Sequence, residues 1–149
     1  MIEIIDENYI MPYWRLLWPD RDQIPLMSSM LYKDGYNVSI YTKYKPTYFG
    51  FTIDGNIVGV NSGHRSNDNE YRSRGLFVLP QFRNKGIAVK LLSATIEQAK
   101  KEDCNTVWSV PRMLSLYTYE KAGFERTSDF FKTETCSHNC YVLYKINEL

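Results

Sequence analysis

A strand that stops at a proline and restarts behind a glycine as an amphipathic helix constrains this chain most. Leu76-Phe77-Val78 ends a strand expected over Arg72–Val78, and Pro80 closes it. Gln81 to Lys85 is a short basic loop. From Gly86 to Lys101 the apolar residues return at helical spacing. Ala88, Val89, Leu92, Thr95, Ile96 and Ala99 are expected to face the core, with Lys90, Ser93, Glu97 and Lys101 outside. Glu97 and Lys101 stand at i,i+4, the spacing of a helical ion pair. The N–H groups of a helix's first turn lack partners and carry the positive end of its dipole, so they suit a phosphate or pyrophosphate. Gly86 and Ala88 keep bulk away from that backbone, and Arg83 and Lys85 add charge. The competing reading is a plain strand–loop–helix connection with solvated basic residues. The spacing is neither G-x-G-x-x-G nor G-x-x-x-x-G-K-[ST].

The other elements follow from pattern. Met1–Ile5 reads as a strand, and Asp6 as the cap of a helix to about Trp18, with Ile10, Trp14, Leu17 and Trp18 on one side. Trp18-Pro19-Asp20-Arg21 breaks it. A second helix is expected over Ile24–Lys33, with Gly35 past its end. Thr47–Ile53 and Ile57–Gly63 form a hairpin around Asp54-Gly55-Asn56, and a polar loop runs from Arg65 to Glu70. Thr106–Val110 is a short buried strand, and Pro111 opens a helix to Ala122 that Gly123 closes. Strands near Phe124–Lys132 and Cys140–Ile146 end the chain. The sum is a mixed α/β fold with a largely antiparallel sheet flanked by helices.

Composition removes several function classes. At 149 residues without repeats or linkers, residues 1–149 read as one domain. Lys and Arg number 18 against 17 Asp and Glu, so no basic field argues for nucleic acid. No basic, apolar leader opens the chain and no apolar run reaches membrane-spanning length, which makes a cytoplasmic protein without a membrane partner the expectation. Cys104, Cys136 and Cys140 are an odd set and do not form a disulfide framework. Cys136-Ser137-His138-Asn139-Cys140 holds soft ligands but falls short of the four a structural zinc needs; it reads as a polar hairpin turn, with no metal expected.

Val78-x-Pro80-x-x-Arg83-x-x-Gly86-x-Ala88 resembles the acyl-CoA signature R/Q-x-x-G-x-G/A of the GNAT superfamily of N-acetyltransferases. Tyr119-Glu120-Lys121-Ala122-Gly123-Phe124 is similar to the Y-E-K-x-G-F that ends the penultimate helix of that family. The order of elements agrees over nearly the whole chain, most strongly from about residue 50 to 124 and least over the first 45. The resemblance implies acetyl-CoA as cosubstrate and a primary amine as acceptor. It implies pantetheine contacts from Leu76, Phe77 and Val78, in a gap where the strand splays from its neighbour. It implies a pyrophosphate cradle of backbone N–H groups from Arg83, Asn84, Lys85, Gly86, Ile87 and Ala88. A backbone N–H near Val78 would polarise the thioester carbonyl.

Tyr119 matches the family's usual general acid. Attack on the thioester expels a thiolate whose thiol ionises near ~8.5, against ~10 for an ordinary tyrosine, so a positioned phenol can protonate it. The competing role for Tyr119 is helix packing, and Tyr117, expected to face elsewhere, is its control. The sequence departs from the family in three places. Arg112 stands where an Asn often contacts the cofactor, Ser115 replaces a frequent Ala, and Asn84 a frequent Gly. Arg112, Ser115 and Tyr119 are expected on one helical stripe, from which Arg112 can bind a carbonyl or phosphate. The general base is open among His64, Asp68, Glu70 and water, with Glu70 foremost. Tyr13, Trp14 and Trp18 read as core residues on helical spacing, and the resemblance leaves an aromatic lid from Trp18-Pro19-Asp20-Arg21 as the alternative. A homodimer stays open, as does a non-catalytic CoA-binding sensor or interaction module of the same fold.

Overall fold

The computed structural model describes residues 1–19, 29–31, 35–37, 40–132 and 138–146. A seven-stranded sheet runs through it in the order β1-β4-β5-β6-β7-β9-β8. Its strands are β1 (Ile2–Ile5), β4 (Thr47–Ile53), β5 (Asn56–Arg65), β6 (Glu70–Val78), β7 (Thr106–Ser109), β8 (Glu125–Arg126) and β9 (Val142–Lys145). Every pairing is antiparallel except β6 with β7. A parallel neighbour needs a crossover, and α3 (Ile87–Lys101) supplies it. The fold is the expected mixed α/β arrangement. No described helix is long and apolar enough to cross a membrane.

Local chemistry accounts for the frame. The Asp6 carboxylate accepts the Asn8 N–H at 2.7 Å and starts α1 (Glu7–Leu17), which buries Ile10 and Trp14. Asp54 and Gly55 both take positive φ, +51° and +80°, forming the two-residue turn that suits strand twist. The Asn67 side chain accepts the N–H groups of Asn69 and Glu70, so the polar loop is only Ser66–Asn69 and β6 begins at Glu70, two residues early. The buried side of α3 is Ile87, Leu91, Leu92, Thr95, Ile96 and Ala99. Ala88 and Val89, expected in the core, are half-buried instead. Glu97 pairs with Lys100 at 3.0 Å rather than with Lys101.

Other expectations need correcting. The helix expected over Ile24–Lys33 lies mostly outside the described residues. The part inside them, β2 (Ser29–Leu31), is a strand paired with β3 (Gly35–Asn37), so ladder pairing overrides a weak local propensity. A short helix, α2 (Ile40–Lys43), follows. Asp20 and Arg21 of the suggested lid, and Cys136 and Ser137, also lie outside. Among the described residues no His/Cys/Asp/Glu cluster has metal-binding geometry. The helix expected from Pro111 is α4 (Leu116–Lys121), entered through a 3-10 turn at Met113–Ser115. Its first residues are engaged elsewhere: Met113 N–H donates to the His138 carbonyl, and Cys140 N–H to that of Pro111. Arg112 is therefore extended and off the stripe of Ser115 and Tyr119. The strand expected over Phe124–Lys132 keeps only two residues in β8, because Phe124 turns into the core against Tyr119 and Tyr144.

The sheet separates two apolar layers. On one face Tyr71 packs with Leu92 and Ile96 of α3 and Tyr119 of α4. On the other, Trp14 of α1 packs with Tyr48 and Val60. Strand alternation sends Tyr71 and Ser73 to the first face and Arg74 to the second, where its guanidinium lies over Trp14 and Trp18.

Candidate active site

The site begins where the parallel ladder ends. Glu70, Tyr71 and Arg72 pair with Thr106, Val107 and Trp108, and no further pair forms. β6 runs on to Val78 while β7 stops at Ser109, so the sheet forks. A bulge bends β6 at the same level. Val60 faces Phe77 and Ser62 faces Arg74, which sets Gly75 and Leu76 opposite the lone Asn61. Gly75 has φ +80°, the left-handed bulge position that glycine tolerates. Its carbonyl accepts the Trp14 indole N–H at 2.9 Å, which ties the bulge to α1.

Beyond the bulge the backbone is turned to the gap. Leu79 N–H donates to the Val58 carbonyl on the β5 side. By strand alternation the N–H and C=O of Val78 face the opposite edge, into the fork. There Arg83 Nε donates to the Val78 carbonyl at 2.8 Å. A proline-led 3-10 turn at Pro80–Phe82 carries the chain to Gly86, the cap of α3 at φ +79°. The first bond of α3 is from Lys90 N–H to the Gly86 carbonyl at 3.2 Å, so the N–H groups of Ile87, Ala88 and Val89 lie ahead of the helix ladder.

A cavity of about 600 Å³ fills the fork, within the range of small-molecule sites. One wall is Leu76, Phe77, Val78, Arg83, Asn84, Gly86, Ile87 and Ala88, so eight of the expected cofactor residues meet here, and Arg112 joins them. Lys85 does not line it; its ammonium leans on the Phe82 ring. Arg112 reaches the cavity from extended backbone and donates to the Leu17 carbonyl at 3.0 Å, closing the α1 side. The opposite wall was not anticipated from sequence: Leu16 and Leu17 of α1, and Ser115, Tyr117, Thr118 and Lys121 around α4. Tyr117, expected to face elsewhere, lies on the rim. No local pattern marks these residues, because they meet the signature turn only across the fork.

Tyr119 projects from the other side of α4 into the base of the fork and is 3% exposed. Its hydroxyl lies 3.1 Å from Ser109 Oγ and 3.3 Å from Ser73 Oγ, and it is not part of the cavity wall. The two serines sit one residue past the last rung, Arg72–Trp108. The signal for them in the sequence was a small polar residue at an inward strand position.

The base candidates stand apart from this point. Glu70 opens β6, three residues before Ser73, or about 10 Å of strand. Asp68 accepts the Tyr44 hydroxyl at 3.2 Å. His64 is fully buried, with Nδ1 2.8 Å from the Arg65 carbonyl. Burial, helped by the charges of Arg72 and Arg74, lowers its pKa to about 3 against that carbonyl's opposing pull. Such a ring is a poor proton acceptor at neutral pH.

Residues 8–124 match the model of the acetyltransferase (GNAT) family. The fold is similar to an IAA acetyltransferase from Bacillus cereus, at TM-score 0.74 and 19% identity over 98% of this chain and 99% of that one. It is also similar to a GNAT family acetyltransferase from Elizabethkingia anophelis with acetyl-CoA bound, at TM-score 0.70 and 17% identity over 98% and 97%. A Bacillus subtilis acetyltransferase in complex with CoA gives TM-score 0.71 and 15% identity over 98% of each chain. Among curated proteins, no sequence matches the chain. With the family model covering most of its length, the chain belongs to the GNAT family of acetyltransferases.

Proposed function

We propose that this protein is an acetyl-CoA-dependent N-acetyltransferase that transfers acetyl to a primary amine by direct attack in a ternary complex. The observation that carries the reading is the fork of β6 and β7, with the start of α3 at its mouth. Pantetheine would lie along Leu76, Phe77 and Val78, and the pyrophosphate would rest on the backbone from Arg83 to Ala88. The CoA and acetyl-CoA complexes of similar folds support this choice of donor.

The chemistry needs few groups. The neutral amine nitrogen attacks the thioester carbon, and the Val78 N–H, turned to the gap, stabilises the oxyanion. As the C–S bond breaks, Tyr119 protonates sulfur. The amine's proton leaves to water or to a loop group.

One observation favours the second reading, a CoA-binding module without turnover. The Tyr119 hydroxyl bridges two strands inside the core, as a structural pin would.

Titration calorimetry of acetyl-CoA into wild type and Gly86→Glu tests the proposal. A Cβ at Gly86 meets nothing within 4 Å, so the added carboxylate enters open space where the pyrophosphate would sit. Wild type is expected to bind in the micromolar range and the folded variant not at all. Equal binding by both, or none by folded wild type, would overturn the placement. Thiol release with amine panels then separates enzyme from module.

A further inference from the structure

With the Asn61 amide donating through Nδ2 to both of its neighbours, proton counting sets the hydrogen-bond direction of the buried polar groups around Tyr119. Thr95 Oγ1 gives its only hydrogen to the Leu91 carbonyl at 2.9 Å, so it accepts from Asn61 Nδ2, also at 2.9 Å. The other Asn61 amide hydrogen goes to Ser73 Oγ at 3.0 Å. Ser109 Oγ gives its only hydrogen to the Ser73 carbonyl at 2.7 Å. In its 3.1 Å contact with Tyr119 it can therefore only accept, and the phenol donates. That leaves the Ser73 hydroxyl hydrogen for the Tyr119 oxygen, 3.3 Å away. The donors run in one sense, from Asn61 to Ser73 to Tyr119 to Ser109 and back to the Ser73 carbonyl. All five side chains are buried, Asn61, Ser73 and Thr95 at 0% exposure and Ser109 and Tyr119 at 3%.

We infer that Ser73 is a positioning residue for the leaving-group step, its hydroxyl aimed in advance at the oxygen that becomes phenolate when Tyr119 protonates the thiolate. The inference rests on the reading of Tyr119 as general acid. In that step the Tyr119 O–H bond breaks, an S–H bond forms, and the C–S electron pair stays on sulfur. The phenolate later recovers from water the proton equivalent that the amine gave up. A phenolate formed in this core has no bulk water beside it, so a donor already in place lowers the cost of forming it. Asn61, held by Thr95, fixes the Ser73 oxygen and so the direction of its hydrogen. Ser109 bridges β6 to β7 one step past the last rung and holds the resting phenol between the strands.

The test is the pH profile of kcat for Tyr119→Phe, Ser73→Ala and the double variant. Tyr119→Phe is expected to lower kcat tenfold or more and to remove the alkaline limb. Ser73→Ala is expected to lower kcat about three- to tenfold and to move that limb to higher pH, with KM for acetyl-CoA unchanged. Added to Tyr119→Phe, it should change nothing further. Ser73→Cys, which keeps the side-chain shape with a weaker donor, should shift the limb the same way and serves if the alanine variant does not fold. If Tyr119→Phe lowers kcat while folded Ser73 variants keep wild-type kcat and limb, the role of Ser73 is overturned and that of Tyr119 stands. If Tyr119→Phe leaves kcat and limb unchanged, the general-acid reading falls and this inference with it.

Discussion

Gly75→Ala against Gly86→Ala separates packing from backbone strain at the fork. Both glycines have nearly the same left-handed φ, +80° and +79°. A left-handed alanine costs roughly 1–2 kcal/mol at either site. Their surroundings differ. A Cβ at Gly86 meets nothing within 4 Å, whereas one at Gly75 would lie 2.2 Å from Trp14 Nε1 and 2.4 Å from Cε2. Trp14 is fully buried, so its ring cannot move aside without disturbing Tyr48, Trp18 and Ile10. Overpacking adds about 1–3 kcal/mol. Displacing the indole also breaks its 2.9 Å bond to the Gly75 carbonyl, worth about 1 kcal/mol. Gly75→Ala should thus destabilise by roughly 3–6 kcal/mol and Gly86→Ala by roughly 1–2. Urea unfolding at neutral pH reads both. Trp14→Phe combined with Gly75→Ala should cost less than the sum of the single changes, because the shorter ring removes the clash. Equal costs for the two alanine variants, or strict additivity with Trp14→Phe, would refute the packing argument.

Two further predictions concern charge. The His64 pKa of about 3 lies below the unfolded value near 6.5, so the unfolded chain binds a proton that the folded one refuses. That burden is absent above pH 6.5 and grows by roughly 1 kcal/mol per pH unit as pH falls toward 3. Urea unfolding of wild type and His64→Phe between pH 7 and 5 should show the extra slope only in wild type; equal slopes would mean that His64 charges freely. Lys121 lines the cavity and Lys85 does not. Lys121→Ala should weaken acetyl-CoA binding severalfold at low salt and less at high salt, with Lys85→Ala nearly silent in the same titration. The reverse ranking would place the phosphates on the Lys85 side of the turn, outside the cavity.

Residue type and spacing, read together with the family resemblance they carry, made one wall of the site legible in sequence. Leu76 to Ala88 is contiguous, so strand end, proline turn and glycine-capped helix are local events, and eight of those expected residues line the cavity. The Lys85 side chain stands outside the lining, because periodicity does not say which way a loop side chain leans. Arg112 reached the cavity for a reason not read in the sequence. Residues His138 and Cys140, distant along the chain, bond Met113 and Pro111 on either side of it, and the extended Arg112 is displaced from the expected helix. Ser29–Leu31 failed in the same way, its helical pattern overridden by a strand partner.

The sequence by itself determined the order of helices and strands from Thr47 to Lys121 and the glycine-capped start of α3. Each depends on capping, turn chemistry or periodicity within a few residues. Tertiary structure decided where the parallel ladder stops, which strand bulges and what faces the signature turn. Those depend on Trp14 bonding to Gly75 and on Tyr119 meeting Ser73 and Ser109, contacts between residues 10 to 61 positions apart. A hydrogen-bond donor can be counted from sequence, but its direction exists only once the chain has brought its acceptor within 3 Å or so.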